Sequence, residues 1–242
     1  MRPYLVFCSV GRDGAVPELF GEEREFDVAL HVYDDNCPKI GEPEYQWERE
    51  GEKLNVAATL LPGIYEQYKA VAFLDDDLTV STDQLNRLFH IPENLPYVQM
   101  WQPSLSRSSF VSWSHLITTP EWETAFLTMC ATGCTSPIRC VPFVEIMCPF
   151  FTREIMPEVM KTLDINQSGW GLDCFIWPKI AAAYVIDNIA IGHYRPPARR
   201  ERLLQNGLTC QQELWIQQII YDPNTAPVNP PGYKRPLDEN YV

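Results

Sequence analysis

Short apolar runs, each closed by a polar turn, mark out the first third of the chain. Tyr4–Val10 is rich in β-branched and aromatic residues and stops at Gly11-Arg12-Asp13-Gly14, the pattern of a strand buried on both faces that ends in a turn. Residues 26–33 repeat the pattern before Asp34-Asp35-Asn36, and residues 71–74 repeat it before Asp75-Asp76-Asp77. Between them, residues 37–55 are polar and loop-like, with Trp47 as a possible anchor, and residues 60–69 have helical spacing. Ser81-Thr82-Asp83-Gln84 is a capping-box pattern opening a helix whose apolar face is Leu85, Leu88 and Phe89.

The pattern is less regular further on. Residues 97–101, 141–147 and 184–191 read as strands, and 110–117 alternates weakly enough for an outer strand. Thr152 is placed to cap a helix running to residue 163, with Pro157 awkward in its first turns. Gly169-Trp170-Gly171 interrupts, a helix resumes over 172–183, and another covers 209–221. Residues 223–242 hold five prolines in twenty and read as a strap or tail. Without an internal repeat or linker, residues 1–222 read as one α/β domain, a sheet with helices on its faces. In such sheets ligands bind where loops leave the carboxyl ends of the strands.

Composition narrows the function classes. The 242 residues carry 32 Asp+Glu against 19 Lys+Arg, a formal net charge of −13, with 45% hydrophobic residues. The apolar fraction excludes a mainly disordered chain. The acidic balance disfavours nucleic acid and anionic membrane surfaces as partners, since both need a basic footprint. An anionic small ligand then requires a metal ion or local arginines. Of the eight cysteines, Cys8, Cys148 and Cys174 sit in apolar runs as small hydrophobes, whereas Cys130 and Cys134 lack a Cys-x-x-Cys pair or a nearby His for a zinc site. With no leader pattern and no apolar stretch of about 18–20 residues, the expectation is a cytoplasmic protein without a membrane span.

Five constellations carry candidate chemistry. Asp75-Asp76-Asp77 puts three carboxylates on one strand tip, and hard oxygen ligands of that kind suit Mg²⁺ or Mn²⁺ bound together with substrate phosphates. Asp75 and Asp77 share a side if the backbone stays extended. The plain alternative is a solvated acidic turn. Gly169-Trp170-Gly171-Leu172-Asp173 combines two permissive glycines, a flat aromatic face for a sugar ring and a carboxylate at a helix start. Its alternative is a helix entry with Asp173 as cap. His193 and Arg195 follow the last strand, a possible metal ligand and a possible phosphate partner. His31, His90 and His115 have no such company and read as structural. Glu145 lies between apolar neighbours, either accepting from a substrate hydroxyl or paired with an arginine in the core. Finally Asp34 and Asp35, with Ser9, Val10, Gly11 and Arg12, could line a nucleotide pocket at the first two strand ends.

Taken together these motifs resemble glycosyltransferases of the GT-A fold, whose Asp-x-Asp motif follows a central strand and corresponds here to Asp75-Asp76-Asp77. The second half, over roughly residues 70–194, more narrowly resembles an uncharacterised family once labelled lysine-ketoglutarate-reductase trans-splicing related. The matching pieces are Asp75 to Leu78, Gln102-Pro103, Phe143-Val144-Glu145-Ile146-Met147 with Pro149 and Phe151, Gly169 to Asp173, and Val185, Asp187 and His193, in that order. The resemblance implies a single GT-A-like domain with a mixed, mostly parallel central sheet. It also implies transfer of a sugar from a UDP- or GDP-linked donor to a hydroxyl acceptor, carbohydrate by expectation. Mn²⁺ or Mg²⁺ would be held by Asp75, Asp77 and His193. Asp173 would be the general base, Glu145 would orient hydroxyls, and Trp170 with Gly171 would meet the acceptor. Ser9, Val10, Gly11, Arg12, Asp34, Asp35, Asp76 and Arg195 would meet the sugar nucleotide.

Two rival readings remain open at this level. Residues 71–79 also match the first motif of haloacid-dehalogenase-type phosphohydrolases, with Asp75 as nucleophile, Asp77 as acid/base and Thr79 following. Two strands precede the motif here, whereas it usually opens its domain. A non-catalytic nucleotide-sugar or carbohydrate-binding module would keep the binding residues without turnover.

Overall fold

A computed structural model of the chain describes residues 1–12, 17–118, 138–195 and 203–221. Among these residues nine strands form one sheet, ordered β3-β2-β1-β4-β8-β6-β9-β5, with β7 pairing the other part of β9. The strands are β1 Tyr4–Val10, β2 Phe26–Val32, β3 Tyr45–Glu48, β4 Ala70–Leu74, β5 Leu78–Thr79, β6 Met100–Leu105, β7 Ile138–Val141, β8 Phe150–Thr152 and β9 Ala183–His193. The helices are α1 Lys53–Leu60, α2 Thr82–Phe89, α3 Ile91–Asn94, α4 Met156–Met160 and α5 Cys210–Tyr221.

The sheet is mixed and mostly parallel in direction. β2, β3 and β4 run parallel to the chain of pairings through β1, and β9 is parallel to β6. β8 lies antiparallel to both β4 and β6, so those two share a direction. Only β5, β7 and β8 run the other way among the described strands. The carboxyl ends of β1, β2, β4 and β9 therefore meet at one edge. Every residue of β1 and β4 is buried, because apolar elements cover both faces of the sheet. Burying one of their large side chains, such as Phe7 or Phe73, contributes about 1.5–3 kcal/mol.

Several boundaries differ from the sequence reading, each for a local reason. Residues 37–55 are not all loop: they contain β3 and the start of α1. The helix expected over 60–69 lies earlier, because Leu60 ends α1 and Tyr65–Gln67 is a single 3-10 turn. The strand expected at 97–101 is β6, and residues 110–117 make only a short 3-10 turn and an isolated bridge to Leu105. Residues 142–149 form the connection between β7 and β8 instead of a strand. Thr152 closes β8, and the following helix starts at Met156 with Pro157 in its first turn, where a missing N–H costs nothing. Past Gly171 the chain makes a π turn, Leu172–Ile176, and a 3-10 turn, Trp177–Lys179, before entering β9.

A buried carboxylate paired with an arginine is Asp187: Arg139 on β7 reaches its two oxygens at 2.6 and 2.9 Å. His31 is buried between the Ser9 hydroxyl and the Arg49 carbonyl, both at 2.8 Å, and so is structural. Cys8 and Cys148 are buried free thiols. Cys130, Cys134 and the proline-rich segment 223–242 lie outside the described residues. No helix among the described residues is long and apolar enough to cross a membrane.

Candidate active site

At the end of β4 the chain leaves the apolar interior at Asp75, and three adjacent carboxylates emerge. They do not stay extended on one side; the backbone turns between β4 and β5, and each carboxylate meets its own cation. Asp75 Oδ1 lies 2.5 Å from Lys53 Nζ. Asp76 Oδ1 lies 3.5 Å from Arg195. Asp77 Oδ2 lies 3.3 Å from His193 Nε2. The pairing is what three like charges in sequence require once water is partly withdrawn.

Asp76 is a structural node. Its Oδ2 accepts from the Gly11 N–H at 2.9 Å and from the Tyr33 hydroxyl at 3.0 Å, joining the ends of β1, β2 and β4. Burial, then the Asp76 charge, push the Tyr33 hydroxyl well above its ordinary range and keep it a donor. A side chain at Gly11 would overlap the Tyr33 ring. Gly11→Ala is therefore expected to displace Tyr33 from Asp76 and cost about 1–3 kcal/mol, the usual range for overpacking, measured by urea unfolding.

Asp77 and His193 face one another across β5 and β9, where Leu78 pairs with His193. His193 Nδ1 is 2.7 Å from the Phe110 carbonyl, which fixes the ring and turns Nε2 toward Asp77. Burial favours neutral imidazole, but the Asp77 carboxylate outweighs it and raises His193 to about 9. For Asp77 the balance is the reverse: burial pushes the carboxyl up, and the His193 contact brings it below its ordinary range.

The second oxygen, Asp77 Oδ1, is buried without a hydrogen-bond partner among the described residues. A carboxylate oxygen left open beside an imidazole oriented from behind is a donor set that fits Mn²⁺ or Mg²⁺ once the ion displaces the proton from His193 Nε2. No group of three such side chains converges among the described residues, so a cation here would take its remaining ligands from phosphate oxygens and water.

The opposite wall is built on residues 145–147. Asp75 N–H donates to the Met147 carbonyl at 3.0 Å, and the Glu145 N–H donates to Gln102 Oε1, a buried amide on β6, at 2.5 Å. Lys53 Nζ also donates to the Ile146 carbonyl at 2.6 Å, while the Ile146 N–H lies on the Asp173 carboxylate. Asp173 is 7% exposed and accepts from the Cys174 N–H at 2.8 Å. Burial raises it to about 6, with these N–H contacts opposing. Against burial, and after the Asp77 contacts, the Glu145 charge adds in a minor way to the raising of His193.

Asp173 follows a turn that Gly169 and Gly171 make possible, at φ +77° and +91°. The turn is fastened from two sides. Asn166 accepts from the Gly169 N–H and donates to the Trp170 carbonyl at 2.9 and 2.7 Å. Glu213 on α5, 2% exposed, accepts from the N–H groups of Gln167 and Ser168 at 3.0 and 2.7 Å and from the Asn206 amide at 2.7 Å. Glu213→Ala would leave three donors without their carboxylate. The expected loss is roughly 3 kcal/mol in chemical unfolding, with Trp170 and Asp173 displaced.

The structure thus brings Asp75, Asp76, Asp77, Gly11, Glu145, Asp173, His193 and Arg195 together. It does not bring the others in the expected way. Ser9 and Val10 are buried, and the Ser9 hydroxyl is spent on His31. Asp34 pairs with Arg12 at 3.3 Å on the surface, and Asp35 is exposed. Both line a cleft of about 480 Å³ with Lys39 and Glu48 at the sheet edge. Tyr33 is the residue of this segment that reaches the triplet. Trp170 is half-buried on its turn. Lys53 and Glu213 are not among the residues that the sequence singles out.

No protein-family model matches the chain, and no curated protein sequence matches it, so the narrower family resemblance has no support beyond its motifs. Among solved structures, GalNAc-T7 with UDP, GalNAc and Mn²⁺ superposes with a TM-score of 0.55 at 11% identity, over 89% of this chain and 48% of that one. The chain spans about half the length of that protein. A197 from STIV aligns over 84% of this chain and 98% of that one at 13% identity, but with a TM-score of 0.38. The fold is that of GT-A glycosyltransferases.

Proposed function

We propose that the protein transfers a sugar from a nucleotide-diphosphate donor, UDP- or GDP-linked, to a hydroxyl acceptor of carbohydrate type, with a divalent cation. Residues 1–222 would form the catalytic unit. The observation that carries this reading is the Asp77–His193 pair, with Asp77 Oδ1 left open, at the carboxyl edge of a GT-A-like sheet. Asp77 and His193 would hold Mn²⁺ or Mg²⁺, and the bound ion would neutralise charge that develops on the leaving diphosphate. Arg195 would add positive charge near the phosphates.

Asp173 would take the proton of the acceptor hydroxyl, since a carboxyl raised to about 6 is mostly ionised at neutral pH and is a stronger base than an ordinary carboxylate. Glu145 would orient sugar hydroxyls as an acceptor, and Trp170 would offer its face to the acceptor ring. Against the phosphohydrolase reading stands the strand order: β1 and β2 precede Asp75 in a GT-A-like sheet, whereas that motif usually opens its domain.

The test is a thermal-shift screen of UDP, GDP and their sugars with and without Mn²⁺. A ligand that binds the native state raises the midpoint by mass action. The expected result is a Mn²⁺-dependent shift with one nucleotide, followed by release of that nucleotide when acceptor is added. Binding without release would favour the non-catalytic module, and no shift with any nucleotide would sink the reading.

A further inference from the structure

Lys53 occupies an unusual place. It is the first residue of α1, where the helix dipole favours anions and disfavours cations, and α1 has no acidic residue in its first turn. Its side chain is nonetheless 10% exposed. An ammonium withdrawn from water to this extent needs partners, and it has two: Asp75 Oδ1 at 2.5 Å and the Ile146 carbonyl at 2.6 Å. Those partners belong to the two walls of the site, the β4 tip and the segment on which Asp173 rests.

We propose that Lys53 is a positioning residue, the fixed counter-ion of Asp75. It keeps Asp75 out of the cation's coordination set and fastens the sugar-nucleotide wall to the acceptor wall. The inference rests on the reading of the site as one for a metal–nucleotide complex. Asp75 and Asp77 are close enough to influence each other's ionisation, yet each faces its own cation. A divalent ion beside Asp77 is repelled by the Lys53 ammonium, which already holds Asp75 Oδ1 and draws that carboxylate away from the ion. The chain then supplies one carboxylate and one imidazole to the ion. The Lys53 link adds to the backbone bonds, Asp75 N–H to the Met147 carbonyl and Phe73 N–H to the Pro149 carbonyl at 3.0 Å each, that hold the Ile146 segment to the strand.

The sign of one measurement separates this role from a merely structural one. Mn²⁺ binding to the full-length chain in the presence of UDP is followed by electron paramagnetic resonance of the free ion. Lys53→Met is expected to bind Mn²⁺ about two- to tenfold more tightly than the wild type, because a nearby positive charge is gone and Asp75 is released toward the ion. Lys53→Arg should restore the wild-type affinity, and Asp77→Asn should lose it. Where Lys53→Met does not fold, Lys53→Gln carries the same expectation. Weaker Mn²⁺ binding in the uncharged Lys53 variant, in parallel with Asp77→Asn, overturns the proposal.

If the wild type binds no Mn²⁺ with UDP, the reading of the site falls, and the ion-pair half of the inference is decided without ligand. Lys53→Met, Asp75→Asn and the double variant are then compared in thermal unfolding. A double variant that loses less than the two single losses combined supports the fixed pair, and simple additivity overturns it.

Discussion

Asp77→Asn is expected to abolish metal-dependent nucleotide binding while leaving the fold intact. The amide has the shape of the carboxylate but no charge, and it presents an NH₂ where an anionic oxygen stood. In the wild type, Asp77 Oδ1 is buried without a partner and Oδ2 faces His193 at 3.3 Å, so this side chain has the least to lose structurally and the most to offer a cation. The expected effect is a Mn²⁺-stimulated UDP affinity weaker by about a hundredfold, roughly 3 kcal/mol, with binding in the absence of metal unchanged. Calorimetry with and without Mn²⁺ reads both quantities. Superimposable curves for variant and wild type would remove Asp77 from the metal assignment.

The contrast between Asp77 and its neighbours explains what the sequence reveals and what it hides. β1 and β4 were readable because they are buried throughout, so burial on both faces leaves an unbroken apolar run whatever the topology. The α2 start was readable because both bonds of its capping box are local, Gln84 N–H to Ser81 Oγ at 3.2 Å and Ser81 N–H to Gln84 Oε1 at 3.0 Å. The apolar run at 141–147 misled because its backbone is satisfied from elsewhere. Gln102 takes the Glu145 N–H and Lys53 takes the Ile146 carbonyl, partners 43 and 93 residues away. Nothing in the run itself distinguishes that from strand pairing.

The triplet followed the same rule. Three carboxylates at a strand tip were visible as a cluster, but their separation onto Lys53, Arg195 and His193 depends on tertiary placement. Glu213 was invisible for the same reason: it looks like an ordinary helix surface acid until the 167–168 turn is folded onto it. Lys53 did leave one signal, a cation at the start of a helix against the dipole.

Asp173→Asn is expected to separate chemistry from binding and, unusually for an active-site change, to stabilise the fold at neutral pH. Asp173 is 7% exposed and raised by burial to about 6 from an ordinary 3.8. A carboxyl raised in the native state binds a proton there that the unfolded chain has already released. Its favourable contribution is complete below about 4 and is lost as pH rises through about 6, a loss of roughly 3 kcal/mol for a displacement of this size. The asparagine variant has no such loss. Its thermal midpoint should meet that of the wild type near pH 4 and exceed it above pH 7.

Transfer should behave oppositely. Wild-type turnover should rise as pH passes through about 6, when the carboxylate form that accepts the proton becomes populated. The variant should lose about 10²–10⁴-fold in turnover with its Mn²⁺–nucleotide affinity retained. Loss of affinity and turnover together, with a lowered midpoint at every pH, would instead mark Asp173 as a cap of the π turn and leave the base to be sought at Glu145.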